Sequence, residues 1–174
     1  MAKKWSNLNL PGALHFVTAN VWKREQVFRD ALWCVSFLGE LDDLNQQWPS
    51  KLIAYVLMPD HFHLISNPRD GRIREFTGAL KSLIARRLGR ELWQQSFKAV
   101  PLWSGWMVWQ KINYIHANPV KSSLVKSAKD YEWSSFHAYY PSGFTSLKVD
   151  RDWWWPDDAE KLSRAAKELG LRAQ

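Results

Sequence analysis

One cysteine, Cys34, stands among 174 residues, which excludes an internal disulfide framework and any zinc site built from several thiolates. A reducing compartment is expected. No apolar run approaches the roughly 20 residues that a membrane span needs, and none follows Met1-Ala2-Lys3-Lys4 as a signal peptide would. The expected location is cytoplasmic. Acidic residues are in deficit: 24 Lys and Arg against 17 Asp and Glu leave a net charge of +7, and the isoelectric point lies near 9.6. A polyanion is the natural partner of such a chain, nucleic acid first, and association with the nucleoid would follow. With no internal repeat and no low-complexity linker, residues 1–174 are expected to form a single domain.

Aromatic residues are plentiful instead: twelve Trp, five Tyr and eight Phe. Most belong in a core, and those left outside offer flat faces on which the bases of single-stranded nucleic acid can stack.

Alternation of apolar and polar residues over Leu14 to Trp22 predicts a first strand, with His15, Val17 and Ala19 opposite to Phe16 and Thr18. Helical spacing of Leu32, Val35, Phe37, Leu38, Leu41 and Leu44 predicts a helix over Asp30 to Trp48, with Asp30 as N-cap and Pro49 as stop. Leu52–Leu57 and His61–Ile65 read as two strands joined tightly through Met58-Pro59-Asp60. After the turn cluster Asn67 to Gly71, a second helix is expected from Ile73 to Leu88, with a largely positive polar face. A further strand is expected over Leu92 to Val100, and Pro101 to Gly105 break the pattern. A third helix then runs from Trp106 to Ala117 and stops at Asn118-Pro119. An aromatic tail and a last amphipathic helix, Asp157 to Leu171, close the chain. The order β-α-β-β-α-β-α suits a ferredoxin-like α+β fold, an antiparallel sheet with helices packed mainly on one face.

Two segments carry chemistry. In YVLMPDHFHLI, His61 and His63 flank Phe62, so a strand turns both imidazoles to one face and the phenyl ring to the other. Neutral imidazoles side by side are good ligands for a divalent cation, although two histidines on a solvated strand face would read the same way. In YIHAN, Tyr114 and Asn118 are four apart on a helix and share a flank. A phenol and an amide oxygen presented together offer a nucleophile and a third metal ligand; a core tyrosine followed by an Asn C-cap is the ordinary alternative.

Taken together, MPDHFHLI, the helix end YIHANPVKSSLV and the following YEWSSF resemble the HUH single-tyrosine transposases, particularly their REP-associated tyrosine transposase branch. The resemblance extends over most of the chain, with a core at 13–140 and a C-terminal extension at 141–174. It implies the ferredoxin-like fold already inferred and a metal-dependent cleavage and transfer of single-stranded DNA next to a hairpin. By the same resemblance Tyr114 is the nucleophile that forms a 5′-phosphotyrosine, and His61, His63 and Asn118 hold a divalent cation, magnesium or manganese. Lys81, Arg86, Arg87 and Lys121 are expected DNA contacts on charge alone. A monomer and a homodimer are both compatible with such relatives.

Two positions depart from the family pattern: Ser123 stands where a glycine commonly follows the Asn-Pro-Val turn, and Asp60 where asparagine is more usual. Neither removes a ligand. The competing readings are a domesticated protein that binds hairpins without productive cleavage, and an RNA-binding module on the same scaffold. Neither needs an aligned tyrosine beside a metal pair.

Overall fold

Alternating apolar residues build the central strand. β1 (Leu14–Asn20) sends Val17 and Ala19 to one face of the sheet and Phe16 to the other, because successive side chains of a strand point to opposite sides. In this computed structural model, which describes residues 7–140 and 145–168, β1 pairs antiparallel with β3 (His61–Pro68) and with β4 (Lys98–Leu102). β2 (Ser50–Met58) lies outside β3, giving the order β2-β3-β1-β4. Helices α1 (Ala31–Gln47), α2 (Ile73–Leu88) and α3 (Gly105–Lys121) complete the β-α-β-β-α-β-α succession. This is the ferredoxin-like α+β arrangement with one further helix.

α1 starts where Asp30 accepts a hydrogen bond from the Leu32 amide at 2.9 Å, satisfying one of the amides a helix N-terminus leaves unpaired. Its apolar side joins that of α2 over one face of the sheet, where Phe37, Leu41, Phe76, Leu80 and Ile84 close on Val17, Ala19, Leu57, Phe62 and Leu64. Phe62 is at the centre, with its ring against Phe37 and Trp93. At 1% exposure it contributes about 1.5–3 kcal/mol of burial, and it also fixes the register: a slip of one residue would turn His61 and His63 into this core.

α3 covers the other face. Val108, Ile112 and Ile115 pack on Phe16, Ile53, Val56, Met58 and Ile65. The two histidines therefore face the helix that carries Tyr114.

Two boundaries differ from expectation. β4 comprises Lys98–Leu102 rather than Leu92 to Val100, and of the earlier stretch Trp93 makes only a bridge to Val21. Pro101 lies inside β4 opposite His15; among the described residues β1 is its one strand partner, and an edge strand tolerates a residue without an amide hydrogen. α3 does not stop at Ala117 but continues through Pro119 to Lys121, although Pro119 has no amide hydrogen to give to the carbonyl of Ile115. Asn118 is thus a helical residue. β3 likewise extends over Asn67 and Pro68, which the turn cluster had claimed.

The aromatic tail runs along the outer edge of β2. Lys51 Nζ donates to the carbonyls of Asp152 at 2.7 Å and Trp154 at 2.8 Å, and the Asp150 amide donates to Leu52 O at 2.8 Å. These contacts cover an edge that would otherwise be open to pairing with another chain. After the single turn α4 (Phe136–Tyr139), α5 (Asp158–Glu168) closes the described chain; the last residues of the helix expected to Leu171 lie outside the described residues. The buried Asp158 packs on Gly12, whose φ of +81° favours glycine and where an added Cβ would lie a tight 3.3 Å from Asp158.

Candidate active site

His61 and His63 stand side by side on β3, with ring centroids 4.8 Å apart. Both rings are held through Nδ1. That of His63 bonds Thr18 Oγ1 at 2.8 Å, Thr18 being its cross-strand neighbour on β1. That of His61 bonds Asp60 Oδ1 at 2.6 Å, and Asp60 is itself gripped by Arg24 Nε at 2.8 Å. Arg24 takes a left-handed φ of +58° to reach it. Neither Nε2 has a hydrogen-bond partner among the described residues. A partner on one ring nitrogen fixes tautomer and orientation for a cation on the other.

Burial keeps both rings neutral, the ligand form. Desolvation, aided by the neighbouring charges of His61, Lys111 and Arg24, pushes His63 down to about 3. Desolvation also lowers His61, against an opposing hydrogen bond and charge from Asp60.

The phenol of Tyr114 meets this pair edge-on, 5.4 Å from His63 between ring centroids. Phe16 forms the floor: it stacks on His63 at 5.2 Å and meets Tyr114 at 5.8 Å. Tyr114 keeps 40% exposure and lines two clefts. One turn on, Asn118 is buried at 9% exposure, and its Nδ2 has no partner among the described residues. Two ammonium groups flank the phenol, Lys111 Nζ and Lys121 Nζ, each 5.5 Å from the ring centroid. Phe16, Thr18, His63, Lys98, Lys111 and Tyr114 line a cleft of about 490 Å³.

The donors suit a divalent cation. Among the described residues no three His, Cys, Asp or Glu side chains converge; Asn118, one turn beyond Tyr114 on α3, carries an amide oxygen. Imidazole nitrogens and an amide oxygen can both serve as ligands of a divalent metal.

The expected basic contacts divide. Lys121 lies beside Tyr114. Arg86 and Arg87 sit on α2, across the sheet from the histidines, and Arg87 is paired with Glu40 of α1; the structure does not bring them to the site. Lys81, also on α2, is tied down by the carbonyls of Gln94 at 2.9 Å and Gln95 at 3.3 Å. His116 is turned away from Tyr114 and buried against Phe136 and Tyr139, with Nε2 2.9 Å from Ser135 Oγ. Its place is structural.

Thr18, Arg24 and Lys111 were not singled out from the sequence. Thr18 could have been found from strand pairing and Lys111 from its position three residues before Tyr114; Arg24 carries no local signal.

Comparison with known proteins gives the family and the fold. The family described as "Transposase IS200 like" matches residues 12–131. A REP-associated tyrosine transposase of Haemophilus influenzae is 27% identical over 167 residues, covering 81% of this chain and 94% of that protein. Its counterpart in Escherichia coli K12 is 29% identical over 96 residues, covering 51% of this chain and 56% of that one. A solved REP-associated tyrosine transposase bound to a REP hairpin shares the fold, with a TM-score of 0.70 at 21% identity over 85% of this chain and 92% of the other.

Proposed function

The chain belongs to the IS200-like transposase family, and on that premise we propose that it cuts and rejoins single-stranded DNA beside a hairpin through a covalent 5′-phosphotyrosine at Tyr114. The observation that carries the reading is the edge-on contact of an accessible Tyr114 with His63, 5.4 Å between centroids. It sets a nucleophile against a pair of neutral imidazoles on the rigid face of a sheet. Hairpin DNA is supported as the ligand by the structural relative, which is bound to one.

His61, His63 and Asn118 would hold magnesium or manganese, which would polarise a nonbridging oxygen of the phosphodiester. Thr18 and Asp60 orient the two imidazoles. Phe16 fixes the distance between histidine and tyrosine, which places the nucleophile rather than leaving it to diffuse. In the first step the Tyr114 Oη–P bond forms as the P–O3′ bond breaks. The phenol proton passes to water, and the departing 3′ oxygen takes one from water. Because the phosphotyrosine conserves a phosphoester bond, a second 3′ hydroxyl can displace Tyr114 and reseal a strand without a nucleotide cofactor. Residues 13–140 carry this reaction, and 141–174 are an extension to it.

The test is incubation with labelled single-stranded hairpin DNA and manganese, followed by denaturation and electrophoresis. A protein–DNA adduct is expected with hairpin DNA and none with the same hairpin in RNA. Tight binding of the DNA hairpin with no adduct would instead mark a binding protein that has lost cleavage, and tight binding of the RNA hairpin with no adduct on either nucleic acid would point to the RNA-binding module.

A further inference from the structure

We propose that Lys111 is a further catalytic residue, its ammonium contacting the scissile phosphate as Tyr114 attacks; this rests on the reading of Tyr114 as nucleophile. Position is the first argument. Lys111 lines the cleft on the His63 side of Tyr114 and also the shallower one on its other side, which Lys121 and Gln110 share. A strand laid across Tyr114 crosses Lys111.

Availability is the second. Lys51 and Lys81 spend their ammonium groups on backbone carbonyls, whereas no carbonyl or carboxylate among the described residues holds Lys111. Its contacts are two aromatic faces, Phe16 at 4.8 Å and Tyr114 at 5.5 Å. Since Phe16 also stacks on His63, the ring is a platform shared by the ammonium, the nucleophile and His63. Such contacts hold a cation loosely and leave its hydrogens for an anion.

The chemistry needs a charge there. As Oη bonds to phosphorus and the P–O3′ bond lengthens, negative charge gathers on the phosphoryl oxygens, and a compact cation fixed beforehand stabilises it without reorganisation.

Single-turnover adduct formation and hairpin-DNA affinity are to be measured for wild type, Lys111→Met and Lys111→Arg, each confirmed folded by its thermal transition. The methionine preserves the apolar stem over Phe16 and removes the charge. We expect Lys111→Met to slow adduct formation by about 10²-fold, a larger loss than its loss of affinity, and Lys111→Arg to recover most of the rate. Equal rates in wild type and Lys111→Met overturn the proposal and leave the nucleophile standing. A loss confined to affinity overturns it also. Absence of adduct in wild type overturns the nucleophile reading and this proposal with it.

Discussion

Thr18 Oγ1 lies 2.8 Å from His63 Nδ1, and this bond decides which nitrogen of His63 can face a cation. With Nδ1 engaged on the β1 side, Nε2 is left for the cleft; Asp60 does the same for His61. Thr18→Val and Asp60→Ala should each weaken manganese binding about 10–100-fold. Thr18→Ser and Asp60→Asn, which keep an oxygen in place, should retain most of it. Titration calorimetry or the manganese resonance signal reads the difference, and equal affinity in Thr18→Val would remove the orienting role.

Chelation gives the matching prediction for the reaction. Treatment with EDTA should abolish adduct formation, excess magnesium or manganese should restore it, and His63→Ala should not be restored. Adduct formed at an undiminished rate in EDTA would show that the histidines serve another purpose.

Stability should fall on mild acidification. Burial lowers both His15 and His116 from 6.5 to about 4, so the unfolded chain takes up protons that the folded one refuses. Stability contributed by these neutral rings is complete above pH 6.5 and declines as pH falls toward 4. Between pH 7.5 and 5 the loss should be roughly 2 kcal/mol for each histidine, seen as a lower urea midpoint. His116→Gln should lessen the slope, and a flat profile from pH 7.5 to 5 would contradict the assignment.

Ser123 takes a left-handed φ of +56° just past the end of α3, where a side chain costs energy and glycine does not. Ser123→Gly should stabilise the protein by about 0.5–1 kcal/mol. That is a rise of a few degrees in melting temperature, and a fall would show that the serine makes a contact outweighing its strain.

Much of this was legible in the chain. The 2-residue period around Val17 and Phe62 and the 3.6-residue period through Phe37 and Leu41 reflect burial on one side of each element, and so the succession of strands and helices could be read directly. Pro101 and Pro119 could not. Each reads as a breaker, yet Pro101 lies on an edge strand, where a missing amide hydrogen is tolerated, and α3 runs on through Pro119. The candidate site was legible to the extent that its members repeat a local spacing: His61 with His63, Tyr114 with Asn118. Arg86 and Arg87 were grouped with it on charge, which carries no information about the side of a sheet. Arg24 depends on a loop conformation that no spacing encodes.

The most direct measurement is the identity of the residue that carries DNA after cleavage. Adduct made with hairpin DNA and manganese would be digested with trypsin and nuclease, and the modified peptide mapped by mass spectrometry. The account predicts a phosphonucleotide on Tyr114 and no adduct in Tyr114→Phe. A modification on Tyr140, which is also accessible at 44% exposure, or an adduct that survives in Tyr114→Phe, would contradict it.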